Sequence, residues 1–151
     1  MANIEDVLNL DDPIFRGFIF YNALLILKCM AMSALTATRR FKNKAFANPE
    51  DAAAQKVKVR TDDSVERVRR AHLNDLENIP IYFVASFGYM LTNPAPALAL
   101  TLFRVFTAAR FVHTFVYAVV VVPQPARGLS WGVGYFITGF MAVQTLLHFC
   151  H

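Results

Sequence analysis

The 151-residue chain has room for one domain and little beyond it. Its residues are 56% hydrophobic and 13% aromatic, with 14 Phe and only 17% charged, and the mean hydropathy is +0.37; a soluble domain carries about a quarter charged residues, so the composition points to lipid. The net charge of +4 is no nucleic-acid signal, because the basic residues cluster from Arg39 to Arg70 between apolar segments, the pattern of cytosolic loops beside membrane spans.

The first twelve residues are acidic (Glu5, Asp6, Asp11, Asp12) and lack the basic start and small-residue cleavage site of a secretory leader, so the first apolar segment reads as a retained span. A bilayer core about 30 Å thick needs roughly 20 helical residues. The first segment, about 13–40, meets that length behind Asp12 as cap and Pro13 at the first helical position, interrupted by Lys28. A basic cytosolic loop follows over about 41–62. Within it Asn48-Pro49-Glu50-Asp51 reads as the start of a short surface helix, with two acids at the positive end of the dipole.

The next apolar run, Ile79 to Leu91, is too short to span. If its helix begins at Asp63, with Asp63 capping and Glu66 closing a capping box, it covers about 63–92 and absorbs the charged stretch VERVRRAHLNDLENI into a second span. A third span is expected over about 94–122 behind the cap Asn93, carrying Arg104, Arg110 and His113, and a fourth over about 125–149. The fold class is therefore an all-α integral membrane protein with a four-transmembrane-helix bundle in one domain, both ends luminal. Cys29 and Cys150 make neither a disulfide framework nor a metal spacing. His148 and His151 read as interfacial, the Phe residues as packing or lipid contact, and Gly128 with Gly132 as a GxxxG that allows close helix approach.

Residues three and four apart share a helix face. Arg67, Arg70, Asn74 and Glu77 make one polar stripe in the second span, and Arg110, His113 and Tyr117 make another in the third. Ionisable groups at membrane depth cost roughly 2.5 to 3.5 kcal/mol each on insertion scales, so they face the bundle or a wet cavity; the bland alternative is snorkelling of Arg67 and Arg70 to the headgroups. With Arg127 the two stripes offer guanidinium groups, an amide, a carboxylate, an imidazole and a phenol. Guanidinium grips carboxylate and Glu77 can accept from an ammonium, so the guest is a small polar molecule with both charges, and an apolar second substrate can arrive through the lipid.

On KAFANPED at Lys44 to Asp51, VERVRRAHLNDLENI at Val65 to Ile79, ARFVHTFVY at Ala109 to Tyr117 and PQPARGL at Pro123 to Leu129, the chain resembles the MAPEG family, the membrane-associated proteins in eicosanoid and glutathione metabolism. The resemblance implies a homotrimer in the endoplasmic reticulum, and also in the mitochondrial outer membrane, with glutathione as co-substrate, no metal, and a site open to the cytosol. It assigns Arg70, Asn74, Glu77, His113 and Tyr117 to glutathione, joined by Arg40 from the adjacent subunit, and places Arg127 at the sulfur as the catalytic residue. The implied activity is glutathione transfer to lipophilic electrophiles and peroxidase action on lipid hydroperoxides.

Departures from the family pattern decide between its branches. The prostaglandin E synthase branch has arginine where this chain has Leu73 and serine where it has Gly128, which favours the transferase branch. Ala52 stands where some members carry a modifiable cysteine, so thiol activation there is not expected. The alternatives are a glutathione-dependent isomerase of the synthase type, a non-catalytic lipid-binding scaffold of the same fold, and an ion or proton pathway that uses Glu77 and His113 as relays.

Overall fold

The computed structural model describes residues 8–150; Glu5, Asp6 and His151 lie outside that range. Four long helices and one short helix make up the described residues: α1 (Pro13–Asn43), α2 (Pro49–Ala54), α3 (Asp63–Leu91), α4 (Pro96–Thr114), which runs on as a π-helical turn (Phe115–Val119), and α5 (Ala126–Phe149). The long helices form a ring in which α1 and α5 each touch both α3 and α4. By length and apolar composition α1, α4 with its π turn, and α5 can each cross a membrane. The charges in the first half of α3 set it apart from those three.

Local chemistry sets the helix ends. Asp12 Oδ2 accepts from the Phe15 backbone N–H at 2.9 Å, with Pro13 at the first helical position, so a donor left orphaned by the helix start is satisfied. The cap of α3 is Asp62, one residue before the expected Asp63. Asp62 Oδ1 accepts from the Ser64 N–H (2.9 Å), the Ser64 hydroxyl (2.6 Å) and the Asn43 amide (2.9 Å), a set of donors that Asp63 does not have. Hydrogen bonds from the Ser64 hydroxyl and then the Asn43 amide hold the Asp62 carboxyl down at about 2. Glu66 closes no capping box; both its oxygens are taken by Arg69 at 2.8 and 2.9 Å.

Asn93 is not the cap of α4 either. It adopts a left-handed φ of 52° that ends α3, a conformation asparagine tolerates, and α4 starts at Pro96, behind Ala95 as its cap, two residues later than expected. Its helical path stops at Val119, short of 122, where Val120 turns extended.

The core on the side away from the basic loop is Leu25, Ile79, Tyr82, Phe103, Phe106 and Met141, with Tyr82 stacked on Phe106 at 3.6 Å between ring centroids. A smaller cluster of Met32, Val68, Ala71 and Ala118 closes the other end and seats Tyr117. Outward, Phe136, Val84, Leu27, Met30 and Ile81 are all more than half exposed, an apolar girdle suited to lipid. Close approach of α4 and α5 occurs at Gly134, where a β-carbon would sit 3.4 Å from Phe106, and not at the GxxxG, since Gly132 has nothing within 4 Å.

Candidate functional site

Where α3, α4 and α5 meet at the basic-loop end, a cavity of about 370 Å³ is lined by Arg70, Leu73, Asn74, Glu77, His113, Tyr117, Arg127, Gly128 and Trp131. Helical spacing accounts for the α3 contribution: Arg70, Asn74 and Glu77 recur every three or four residues, so one face delivers all three. From α4 come His113, in the last α-helical turn, and Tyr117, in the π turn. A π turn adds a residue per turn and re-aims the side chains after it. Here the Tyr117 ring lies edge-on to His113 at 5.5 Å.

Arg127 sits in the first turn of α5, and its guanidinium carbon lies 4.6 Å above the centre of the Tyr117 ring. Stacking on the phenol fixes the direction of the cation without neutralising it. The Gly128 N–H is met by Gln124 Oε1 at 3.1 Å, which ties the turn to the helix start. Among the described residues Arg70, Glu77 and Arg127 make no ion pair. His113 Nδ1 is buried without a partner. The cavity therefore holds uncommitted charge of both signs, an imidazole and a phenol, the composition of a site for a small zwitterionic or anionic guest.

Two sequence candidates fall elsewhere. Arg67 of the stripe does not line this cavity, and Arg40 lines a second one with Thr36, Phe41, Glu66, Arg69 and His72. Arg70 and Leu73 border both cavities. Arg104, in the half of α4 away from the basic loop, is exposed and donates from Nε to the Tyr21 hydroxyl at 3.2 Å, away from the site.

Arg110 is turned into the bundle and not toward the guest. It is fully buried, and its guanidinium meets Asp75 Oδ1 through Nε at 3.2 Å and through Nη2 at 2.5 Å. Lys28 of α1 takes the other Asp75 oxygen. One carboxylate thus joins α1, α3 and α4 at a common depth. Sequence reasoning missed this hub because Asp75 sits off the polar stripe and Lys28 reads as an interruption. The available signal was Lys28, a single base among apolar neighbours on its helix face, which needs an acid from another helix.

An apolar groove of about 700 Å³ continues from the cavity along α3 and α5. Asn74, Glu77 and Trp131 are common to both, and Ile81, Ala85, Tyr135, Gly139 and Ala142 carry the groove on. A polar pocket thereby opens sideways into the lipid-facing surface.

The profile of the MAPEG family matches residues 18–147. The chain belongs to this family. Microsomal glutathione S-transferase 1 of Homo sapiens is 46% identical over 97% of this chain and 96% of its own length, and the Mus musculus protein of that name is 44% identical over the same shares. Prostaglandin E synthase of Macaca fascicularis is 34% identical over 92% of each chain. The resemblance seen in KAFANPED, VERVRRAHLNDLENI, ARFVHTFVY and PQPARGL is thus confirmed at the level of the MAPEG family.

Proposed function

We propose that this MAPEG protein is a membrane-bound glutathione transferase whose cavity between α3, α4 and α5 holds the tripeptide. The observation that carries the reading is the convergence of Arg70, Asn74, Glu77, His113, Tyr117 and Arg127, from three helices, on one cavity within the size range of small-ligand sites, roughly 300 to 1,000 Å³. Arg70 grips a carboxylate of glutathione, Glu77 accepts from its ammonium, and Tyr117 with His113 supplies neutral hydrogen-bonding groups.

Arg127 lies where a sulfur can meet both a cation and the N-terminal end of α5. A free thiol with pKa of about 8.5 is only a few per cent thiolate at neutral pH, and a nearby cation and helix dipole favour the anion. Each unit of depression corresponds to about 1.4 kcal/mol. In conjugation the thiolate forms a carbon–sulfur bond as the leaving group departs with its electron pair. In peroxidase action the thiolate attacks the terminal oxygen of a hydroperoxide, the O–O bond breaks, and the alkoxide takes a proton. A second glutathione then converts the sulfenic acid to disulfide and water.

The groove along α3 and α5 supports delivery of lipophilic electrophiles or lipid hydroperoxides from the bilayer. At about 1.5 Å per residue the 29 residues of α3 reach about 43 Å, more than a bilayer core needs. We assign α3 as the fourth span. The basic stretch after α1 puts the cavity end on the cytosolic side by the positive-inside rule, in the endoplasmic reticulum or the mitochondrial outer membrane. The second cavity, with Arg40 in its wall, fits a homotrimer in which Arg40 completes the neighbour's site.

Leu73 and Gly128 both line the cavity, where the synthase branch has arginine and serine, which favours transfer over isomerisation. The test is conjugation of glutathione to a chlorodinitrobenzene by the detergent-purified protein, with thiolate absorbance followed in parallel. Activity in wild type and its loss in Arg127→Ala support the reading. Absence of conjugation, thiolate signal and glutathione binding in wild type overturns it.

A further inference from the structure

Asn74 has its side-chain oxygen committed before any ligand arrives. Arg110 Nη2 donates to Asn74 Oδ1 at 2.8 Å. A guanidinium has only donors, so the atom facing it is the oxygen; turned over, the amide would set its own N–H groups against those of the arginine. Asn74 Nδ2 has no hydrogen-bond partner among the described residues, and Asn74 lines the cavity. The amide therefore offers the cavity donors alone.

Arg110 cannot release that oxygen easily. Its Nε and Nη2 are both on Asp75 Oδ1, and the other oxygen of Asp75 is held by Lys28. The arginine stem packs against Gly134, where even a β-carbon would come within 3.7 Å of Cδ. The α3 turn is also braced, because Asn78 Nδ2 donates to the Asn74 backbone oxygen at 2.7 Å. All three charged groups are buried, so swinging one out leaves a charge unpaired in a low-dielectric interior.

We infer that Lys28, Asp75 and Arg110 form a positioning network which fixes Asn74 as an obligate hydrogen-bond donor, so that this point of the cavity takes an acceptor oxygen of the ligand, carbonyl or carboxylate, and rejects a donor. Arg110 acts through Asn74 without touching the ligand itself. The network rests on the glutathione reading and adds a polarity to it: the end of the tripeptide lying at Asn74 presents oxygen, while its ammonium is directed one turn onward, to Glu77. Discrimination of this kind arises from the unpaired groups a wrongly oriented ligand would leave.

The test is a double-mutant cycle on glutathione dissociation constants, measured by equilibrium dialysis on the full chain in detergent. Asn74→Ala is expected to weaken binding by about 10-fold, the value of one good hydrogen bond. Asn74→Asp, whose free oxygen can only accept, is expected to weaken it further than Asn74→Ala does. Arg110→Lys keeps a cation beside Asp75, but a point charge cannot hold Asp75 and Asn74 as a planar fork does; about 10-fold weakening is expected in wild type and none beyond that in the Asn74→Ala background. Losses that multiply in the double variant overturn the inference, as does Asn74→Asp binding as well as or better than Asn74→Ala. If Arg110→Lys fails to fold, the two Asn74 variants, which break no ion pair, decide it by the same ranking. Wild-type protein that binds no glutathione overturns the functional reading and this inference together, whereas binding with multiplied losses overturns this inference alone.

Discussion

Asn74 and Asp75 are adjacent in the chain and face opposite fates. Asp75 is fully buried, with one oxygen on Arg110 and the other on Lys28. One position earlier, the face of α3 carrying Arg70, Asn74 and Glu77 opens on a cavity where the charges make no ion pair among the described residues. Both clusters draw on α3 and α4, and both cost free energy to bring into a membrane bundle. The difference lies in pairing: in the first, saturated cluster every charged group has an ion-pair partner and the cluster joins helices, while in the second, unsaturated one the charges stay unpaired among the described residues.

Breaking the saturated cluster gives the largest expected effect. Asp75→Ala leaves Lys28 and Arg110 as buried unpaired cations, and a destabilisation of about 3 to 5 kcal/mol follows; thermal unfolding in detergent, monitored by circular dichroism, reads it. Between apolar faces in lipid there is little hydrophobic drive, so an ion cluster that would otherwise sit in hydrocarbon is a strong determinant of how α1, α3 and α4 pair.

In the unsaturated cluster, Arg127→Ala is expected to lower kcat/KM about 100-fold, the range for losing one preorganised charge-stabilising donor, with little change in melting temperature. Its pH profile sharpens the assignment. The cation favours thiolate, so its removal moves the inflection of activity with pH upward, toward about 8.5. An unmoved inflection argues that Arg127 is not at the sulfur. If Glu77 holds the ligand ammonium as proposed, Glu77→Gln removes a charge-assisted contact of about 1.5 to 3 kcal/mol, and is expected to raise KM for glutathione by at least 10-fold with kcat nearly intact, as steady-state kinetics will show.

Smaller effects come from packing and from the loop. Gly134→Leu drives a side chain into Phe106 and Arg110 and costs about 1 to 3 kcal/mol, whereas Gly132→Leu, with open space around it, stays within about 0.5 kcal/mol; melting temperatures of the two separate a true helix contact from a GxxxG of chance. Asp62 titrates below its ordinary value, held at about 2. Its contribution is complete above about pH 4 and lost as pH falls toward 2. Asp62→Asn is expected to flatten the pH dependence of melting temperature in that window and, because the charged cap is fully formed at pH 7, to lower the melting temperature slightly there.

Most of the cavity was legible as spacing. Arg70, Asn74 and Glu77 share a helix face by arithmetic alone, and extending α3 back to the charged stretch followed from the shortness of Ile79 to Leu91. Periodicity failed for Arg110, which is spaced to join His113 and Tyr117 but turns into the bundle. The partner that turns it, Asp75, is 35 residues away, and no local pattern reports such a pairing. Arg67 failed for a related reason: it keeps the period of the stripe but sits a turn beyond the point where α4 and α5 close the cavity. Caps were misread by one or two residues at Asp63 and Asn93, because the choice between adjacent candidates depends on donors such as Asn43 that tertiary contact supplies.

The sequence by itself determined the apolar helices, the basic loop after the first of them, the polar face of α3 and the family. Those are set by composition and by periods of three and four residues, which the chain carries locally. Only the tertiary structure decided which charges are spent on one another and which remain open. A buried ion cluster forms between helices far apart in sequence, and its free energy depends on mutual distance and on exclusion from water and lipid, neither of which exists until the bundle has closed.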